Sequence, residues 1–240
     1  MPRRLYPILL ALYCLTPMAA PRLATLEYPP YSTETMPGGG SIVELTERAF
    51  ATQGHRPRID FLPWARVRAE LRQGTYQGAL ALWPQEIVEE KLIASRPLFY
   101  SQLGLFARRG DPVRFRSLDD LRGRRIGIVR GYGYPLRILK SGIVAEEAVD
   151  DISNLRKLKA GRFDLVLLER IVGEYLIAGD SRLRGRLAWQ EPALERIPLV
   201  VGFVPPRPGE HDWAAVFERG LRELHARGEY MRILRRYQPR

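Results

Sequence analysis

Short apolar runs alternate along this chain with longer stretches in which apolar residues recur every three or four positions. The helical spacing is clearest after Ser41, where four apolar residues share one face: Ile42, Leu45, Ala49 and Phe50. Other runs are as short and apolar as the buried strands of parallel sheets: residues 78–82, 125–129 and 164–168. Strands that alternate with helices in this way predict an α/β fold.

The same pattern predicts further elements on both sides of these. Strands are expected at residues 23–26, 58–61, 103–106 and 198–204. Helices are expected at residues 63–71, 212–227 and 229–237.

Local signals predict where several helices begin. Ser41 is followed three residues later by Glu44, and Ser117 by Asp120, which is the spacing of a capping box. Ser153 predicts the N-cap of another helix. The strand and helix rhythm starts at the N-terminus and again near Ser117, so the pattern indicates two lobes.

The first 20 residues differ from the rest of the chain. Arg3 and Arg4 precede an apolar run over residues 5–15, and the small residues Ala19 and Ala20 follow it. This order is typical of a secretory signal peptide, and the run is too short to span a bilayer comfortably. We predict a signal peptide at residues 1–20, cleaved near Ala20, and a periplasmic protein; a buried N-terminal helix is the alternative.

Composition narrows the chemistry of the mature chain. The single cysteine, Cys14, lies inside the expected signal segment, so the cleaved chain would contain no cysteine. A chain without cysteine can form no disulfide, no cysteine-ligated metal site and no thiol nucleophile. The three histidines show no metal-binding spacing: His55, His211 and His225. No metal and no cofactor is therefore expected.

The net charge of +11 does not by itself indicate nucleic acid. The arginines are scattered along the whole chain, and no nucleic-acid-binding motif frames them. We expect a solvated basic surface and no nucleic-acid partner. After the signal segment, no apolar run is long enough for a membrane span.

Seven segments carry a resemblance to a known family. They are residues 26–31, 40–45, 63–74, 94–98, 118–131, 158–164 and 228–231, which include Glu-Tyr-Pro-Pro-Tyr, Pro-Trp-Ala-Arg, Ser-Arg-Pro-Leu and Ala-Gly-Arg-Phe-Asp. In this order they resemble the family 3 extracellular solute-binding proteins, which include the polar amino-acid binders of bacterial uptake systems. The resemblance covers nearly the whole mature chain.

The resemblance implies a two-lobed, type II periplasmic binding protein-like fold with a hinge of two strands. Lobe 1 would comprise residues 21–102 and 205–240, and lobe 2 residues 103–204, with hinge strands near 103–108 and 199–204. Such a hinge lets the lobes close on a ligand.

The function implied is capture of a small polar or aromatic solute, cationic or amino-acid-like, by a monomer that delivers it to an ABC-type membrane permease. No catalysis is expected. Two alternatives stay open: a cyclohexadienyl dehydratase-like enzyme on the same fold, and a ligand sensor that acts through a partner protein.

Five candidate ligand-binding residues have side chains that suit the walls of a cleft. By the resemblance, Tyr28 stacks on the ligand, and Trp64 begins a cleft-lining helix. The alternatives are a core aromatic at a strand end for Tyr28 and a capping contact against the Pro-rich loop for Trp64. Trp83 stands where the family has a small polar residue, and Tyr132 lies in a Gly-Tyr-Gly turn. Glu169 matches the acid that faces a ligand amine; the alternative is an acid at a helix N-terminus.

One part of the family pattern is missing. Amino-acid binders hold the ligand carboxylate with an arginine, and Val88 or Glu89 falls where that arginine is expected. Arg66 and Arg130 are the candidate replacements and are included among the expected ligand-binding residues. Without a bidentate guanidinium clamp, we expect free α-amino acids with small side chains to bind poorly.

Overall fold

The computed structural model of the protein describes residues 20–237. The expected signal segment, apart from its last residue, lies outside the described residues. No helix within the described range is long and apolar enough to cross a membrane.

Within residues 20–237, nine strands form one mixed sheet in the order β2-β1-β3-β9-β5-β8-β6-β7, with β4 paired to β9. The strands are β1 (Arg22–Thr25), β2 (Arg58–Phe61), β3 (Gly78–Leu82), β4 (Ile93–Ala94), β5 (Phe99–Arg108), β6 (Arg125–Val129), β7 (Val144–Ala148), β8 (Leu165–Glu169) and β9 (Leu187–Phe203).

Two parallel groups of strands are joined by two long antiparallel strands. β1 pairs in parallel with β2 and β3, and β6 pairs in parallel with β7 and β8. β9 pairs with β3 and β4 near its C-terminal end and with β5 along most of its length. β5 also pairs with β8, so β5 and β9 connect the two groups.

Helices cover the sheet. They are α1 (Ser41–Thr52), α2 (Trp64–Arg72), α3 (Pro84–Glu89), α4 (Leu136–Leu139), α5 (Asp151–Lys159), α6 (Arg170–Gly179), α7 (Trp213–Ala226) and α8 (Glu229–Tyr237), with single 3-10 turns at Pro37–Gly39 and Leu118–Leu121.

Most expected elements are present. Strands β2, β3 and β6 and helix α8 begin and end at the expected residues, and β1 and β8 are displaced by one residue. Three short or amphipathic helices, α3, α4 and α6, were not expected, nor were β4, β7 and the first half of β9. The first half of β9 is only partly buried and carries a polar sequence, so it lacks the apolar run on which strand prediction depends.

Two expected helix caps are wrong. Helix α1 begins at Ser41 itself with Gly40 before it and no side-chain cap, and the Glu44 carboxylate instead accepts hydrogen bonds from Arg236 and Tyr237 of α8. Helix α5 is capped by Asp150, whose carboxylate accepts a hydrogen bond from the Ser153 backbone N–H at 2.8 Å. In contrast, Asp120 does accept a hydrogen bond from the Ser117 N–H, at 3.0 Å.

The C-terminal helices pack on the N-terminal part of the chain. The ring of Phe217 in α7 lies 5.7 Å from Phe50 of α1 and 5.4 Å from Phe203 of β9, centroid to centroid. All three rings are fully buried. Gly220 lets α7 approach α1 so closely that a Cβ there would lie 2.0 Å from the carbonyl oxygen of Ala49. This aromatic cluster ties α7 to the group of strands around β3.

Candidate functional site

A small cavity of about 10 Å³, room for about one water, lies where the carboxyl ends of strands from both parallel groups meet. Seven residues line it: Leu26, Tyr28, Trp64, Ala81, Trp83, Glu86 and Tyr132. The first six of these residues lie in or just after β1, α2, β3 and α3, whereas Tyr132 follows β6. The carboxyl ends of the strands in an open α/β sheet are where such folds bind ligands. We call this the inner cavity.

The aromatic rings of the inner cavity form a box. The Tyr132 ring lies 6.1 Å from Tyr28 at 83°, 6.4 Å from Trp64 at 88° and 5.6 Å from Trp83 at 77°, measured between centroids and planes. These edge-to-face contacts suit the ring quadrupoles. One ring from the second half of the sheet thus closes on three rings from the first.

The backbone of β3 is irregular where it meets the cavity. The pairing of β3 with β9 shifts register between Ala79 and Leu82, and Ala81 has a φ of 62°. A left-handed conformation at a residue other than glycine is strained, and such strain is concentrated at functional sites. The bulge places the small side chain of Ala81 in the cavity wall, just before Trp83.

Glu86 is the charged group of the inner cavity. One carboxylate oxygen accepts hydrogen bonds from Trp64 Nε1 at 2.7 Å and from the Gly133 N–H at 2.9 Å, and the other accepts from the Trp83 N–H at 2.7 Å. The residue is 2% exposed. Burial raises the pKa of Glu86 to about 7, because desolvation disfavours the charged form. Glu86 therefore joins α2 and α3 to the loop that follows β6.

A second buried acid, Asp151, contacts Tyr132, whose ring closes on the other three. Asp151 is buried and accepts a hydrogen bond from the Tyr132 hydroxyl at 2.8 Å. Burial raises the pKa of Asp151 to about 7. This hydrogen bond fixes the Tyr132 ring from the side of α5.

An outer cavity of about 230 Å³ adjoins the inner one and shares three of its lining residues. Its remaining lining residues are Glu27, Glu34, Phe61, Leu62, Pro63, Val129, Val149 and Asp150. Three of these are exposed acids. Among the described residues, no arginine, lysine or histidine lines either cavity, although the whole chain contains 38 arginines and lysines.

The structure brings together four of the seven residues expected at the site: Tyr28, Trp64, Trp83 and Tyr132. The other three lie elsewhere. Arg66 is exposed and pairs with Glu70 at 3.5 Å, and Arg130 is exposed and pairs with Glu147 at 2.7 Å. Neither arginine lines the inner or the outer cavity.

Glu169 follows the structural alternative. Its buried carboxylate accepts a hydrogen bond from the Val172 N–H at 2.8 Å and so caps α6. It lines neither cavity. The position of Glu169 at the end of β8 is as expected, but the carboxylate is used by its own helix.

The sequence interpretation missed Glu86. It placed the clamp position at Val88 or Glu89, but Val88 is 71% exposed and Glu89 pairs with Arg68 at 2.7 Å. A usable signal was present, because Pro84 followed two residues later by Glu86 is typical of a helix start. That helix start places the carboxylate over the end of β3.

Three buried carboxyl groups give a prediction for the pH dependence of stability. Burial raises the pKa of Glu86, Asp151 and Glu169 to about 7, from ordinary values of 4.5, 3.8 and 4.5. The folded protein then binds more protons than the unfolded chain between about pH 4 and 7, so stability falls as pH rises through this window. We expect a thermal midpoint about 2–4 °C or more higher at pH 5 than at pH 8, which corresponds to about 1 kcal/mol or more.

Scanning calorimetry across this range measures the effect. Glu169→Gln removes one of the three groups and is expected to make the pH dependence shallower, whereas Glu174→Gln, on the exposed face of α6, leaves it unchanged. A midpoint that rises from pH 5 to pH 8 contradicts the prediction.

Comparisons with known proteins agree with this architecture. No protein-family model matches the chain. Over 91 residues the chain is 26% identical to the L-cystine-binding protein TcyJ of Escherichia coli, a match that spans 37% of this chain and 34% of that relative.

Solved structures match far more of the chain. A histidine kinase sensor domain with similarity to periplasmic binding proteins is 23% identical with a TM-score of 0.78, and covers 91% of this chain and 95% of its own. The ligand-binding core of GluR0 from Nostoc punctiforme, in complex with L-glutamate, is 19% identical with a TM-score of 0.74, and covers 90% of this chain and 98% of its own. The chain therefore has the two-lobed α/β fold of the periplasmic binding proteins, as its resemblance to the family 3 extracellular solute-binding proteins implied.

Proposed function

We propose that this protein binds a small solute between two lobes and carries it to a membrane transporter. The observation that supports this most directly is the pair of adjoining cavities, whose lining residues come from both halves of the sheet. Because Tyr132 closes on rings of the first half, a solute enters only when the halves separate. Hinged opening and closing around a ligand is the motion this fold performs.

The lobe boundaries expected from the sequence are part of this proposal. Lobe 1 comprises residues 21–102 and 205–240, and lobe 2 residues 103–204. The packing of α7 on α1 supports the assignment of the C-terminal helices to lobe 1. The pairing of β5 and β9 with strands of both groups supports their role as hinge strands.

The cellular setting is proposed from the resemblance. A periplasmic monomer that hands its solute to an ABC-type permease fits the expected signal peptide and the likeness to a bacterial cystine-binding protein. The likeness to a histidine kinase sensor domain favours one alternative, in which the bound form signals through a partner protein. Catalysis is not part of the proposal, because a dehydratase needs a cationic carboxylate clamp and, among the described residues, no arginine, lysine or histidine lines the inner or the outer cavity.

A thermal-shift screen against amines, amino acids and aromatic acids tests the proposal. We expect at least one compound to raise the unfolding midpoint and to change the tryptophan fluorescence, since Trp64 and Trp83 line the cavity. Tyr132→Ala removes the closing ring and is expected to weaken that binding about tenfold or more.

Arg130→Ala provides the matched control. Arg130 lies two residues away from Tyr132 but lines neither cavity, so its replacement leaves the affinity unchanged. A compound whose affinity is insensitive to Tyr132→Ala binds elsewhere and contradicts the assignment of the site. If no compound of any class stabilises the protein, the proposed function fails.

A further inference from the structure

The loop that follows β6 is held by side chains of the first half of the sheet on both sides of Tyr132. The Gly133 N–H donates a hydrogen bond to Glu86 at 2.9 Å. The carbonyl oxygen of Gly131 accepts a hydrogen bond from Arg68 Nη1 of α2 at 2.8 Å. Both bonds join the two halves of the sheet and are made by protein atoms alone. We call these two hydrogen bonds the latch.

Acids of the same half hold Arg68 in the position that the latch requires. Its Nε donates to Glu90 at 2.6 Å, and its Nη2 donates to Glu89 at 2.7 Å. Both acids lie at the C-terminal end of α3. The Arg68 side chain is only 11% exposed. Two nitrogens of the planar guanidinium are thus fixed before the third meets Gly131, so the interlobe bond costs little further side-chain entropy.

Arg72 shows that the position on the helix decides which arginine spans the cleft. It lies one turn further along α2, is 60% exposed, and donates from its Nε to Glu90 at 2.8 Å. Within residues 20–237, its hydrogen bonds go to Glu90 and none reaches the second half of the sheet. Arg72 also keeps the buried Glu90 carboxylate paired if Arg68 is replaced.

The latch does not use the space that a solute needs. Arg68 lines neither the inner nor the outer cavity. Its bond to the Gly131 carbonyl and the bond from Gly133 to the Glu86 carboxylate each involve an ionisable side chain and a backbone group. Hydrogen bonds of this kind are stronger than those between neutral groups. The latch therefore favours the closed arrangement of the lobes independently of what the cavities contain.

We infer that Arg68 is a positioning residue for lobe closure, which acts with Glu86 to fasten the Gly131–Gly133 loop of lobe 2 to lobe 1. This inference rests on the proposed function and adds to it a residue that retains a solute without lining either cavity.

Amide hydrogen exchange at Gly133, followed by NMR, tests the latch in the protein without added solute. The Gly133 N–H is the donor of one latch bond, so it is protected while the lobes are together and exchanges when they separate. Arg68→Gln removes the other latch bond and is expected to speed this exchange about tenfold or more. Arg72→Gln removes the same charge from the same helix and is expected to leave the exchange rate of Gly133 unchanged.

Arg68→Lys separates the latch from a role of Arg68 within lobe 1. Lysine keeps a positive charge beside Glu89 and Glu90 but lacks the planar fork that reaches a third acceptor. Faster exchange is therefore expected at Gly133, with unchanged protection of the amides of α2 and β3. Exchange that speeds up throughout α2 and β3 contradicts the inference. So does a Gly133 amide that is unprotected in the unchanged protein, or one that exchanges equally in Arg68→Gln.

Stopped-flow tryptophan fluorescence tests whether the latch retains a solute. The probe is the compound of the thermal-shift screen that gives the largest shift. We expect Arg68→Gln to raise its dissociation rate about tenfold, because the closed conformation is less populated, and Arg72→Gln to leave that rate unchanged. An unaltered dissociation rate in Arg68→Gln overturns the inference but leaves a solute-binding protein. Absence of binding for every compound of the screen refutes the proposed function, whereas the exchange experiment still decides on the latch.

Discussion

Gly133→Ala is expected to weaken solute binding about tenfold or more without unfolding the protein. A Cβ at this position would lie 2.4 Å from Cγ and 3.1 Å from the backbone N of Glu86. Glu86 cannot move aside without losing hydrogen bonds from α2, α3 and Gly133 itself. Overpacking of this kind costs about 1–3 kcal/mol, and 1.4 kcal/mol is a factor of ten in affinity.

The clash exists only when the two halves of the sheet are together. The cost therefore falls on the closed conformation, and the apparent affinity falls with the population able to bind. Titration of the compound that gives the largest thermal shift measures the change, and small-angle scattering with and without that compound measures closure.

Gly179→Ala is the matched control for this variant. Gly179 ends α6, and a Cβ there would meet nothing within 4 Å. The substitution adds the same methyl group without a steric clash, so the affinity for the solute and the closure measured by scattering should equal those of the unchanged protein. Unaltered affinity in Gly133→Ala as well would show that Glu86 and the loop after β6 do not meet in the bound state.

Phe217→Ala is expected to produce the largest loss of stability, about 3–5 kcal/mol. The Phe217 side chain is fully buried between Phe50 and Phe203, so its removal loses apolar burial and leaves a cavity between α7, α1 and β9. Because whole domains are stable by only about 5–15 kcal/mol, this single change is a large fraction of the total. Urea unfolding followed by circular dichroism gives the value.

Met231→Ala serves as the comparison on the neighbouring helix. Met231 lies in α8 but is 49% exposed, so its truncation is expected to cost well under about 1 kcal/mol. A cost for Phe217→Ala no larger than that of Met231→Ala would mean that α7 does not pack on α1 in solution. The assignment of residues 205–240 to lobe 1 would then be wrong as well.

The buried strands of the sheet were predictable from the sequence. β3 and β6 were located to the residue, because a strand buried on both faces needs a short continuous apolar run that little else in the chain resembles. The edge strand β2 was also located to the residue, although it is only half-buried and alternates polar with apolar residues. The half-buried start of β9 and the short helices α3 and α4 were not, since their stability comes from contacts with distant segments rather than from local pattern.

The helix caps show the same limit at the scale of single side chains. The Ser41 and Glu44 pair has the right spacing for a capping box, yet Glu44 is engaged by Arg236 and Tyr237, almost 200 residues further along the chain. Local spacing states what a side chain can reach nearby. It does not state which distant partner competes for it.

For the candidate site, the sequence by itself determined the aromatic walls. Tyr28, Trp64, Trp83 and Tyr132 each follow or begin an element at the edge where strands end, and large rings at that edge converge on a common cleft. Their expected places in the cleft came from the resemblance of the surrounding segments to the family 3 extracellular solute-binding proteins, whereas periodicity gave only the strands and helices that they adjoin.

Only the tertiary structure decided the electrostatics of the site. Arg66 and Arg130 were plausible clamp residues by sequence, but the fold leaves both on the surface with acidic partners, and it uses Glu169 to cap its own helix. The same fold buries Glu86 between the Trp64 indole, the Trp83 backbone and the loop after β6. Which charge faces a ligand depends on burial and on competing partners far away in sequence, and these exist only once the chain has folded.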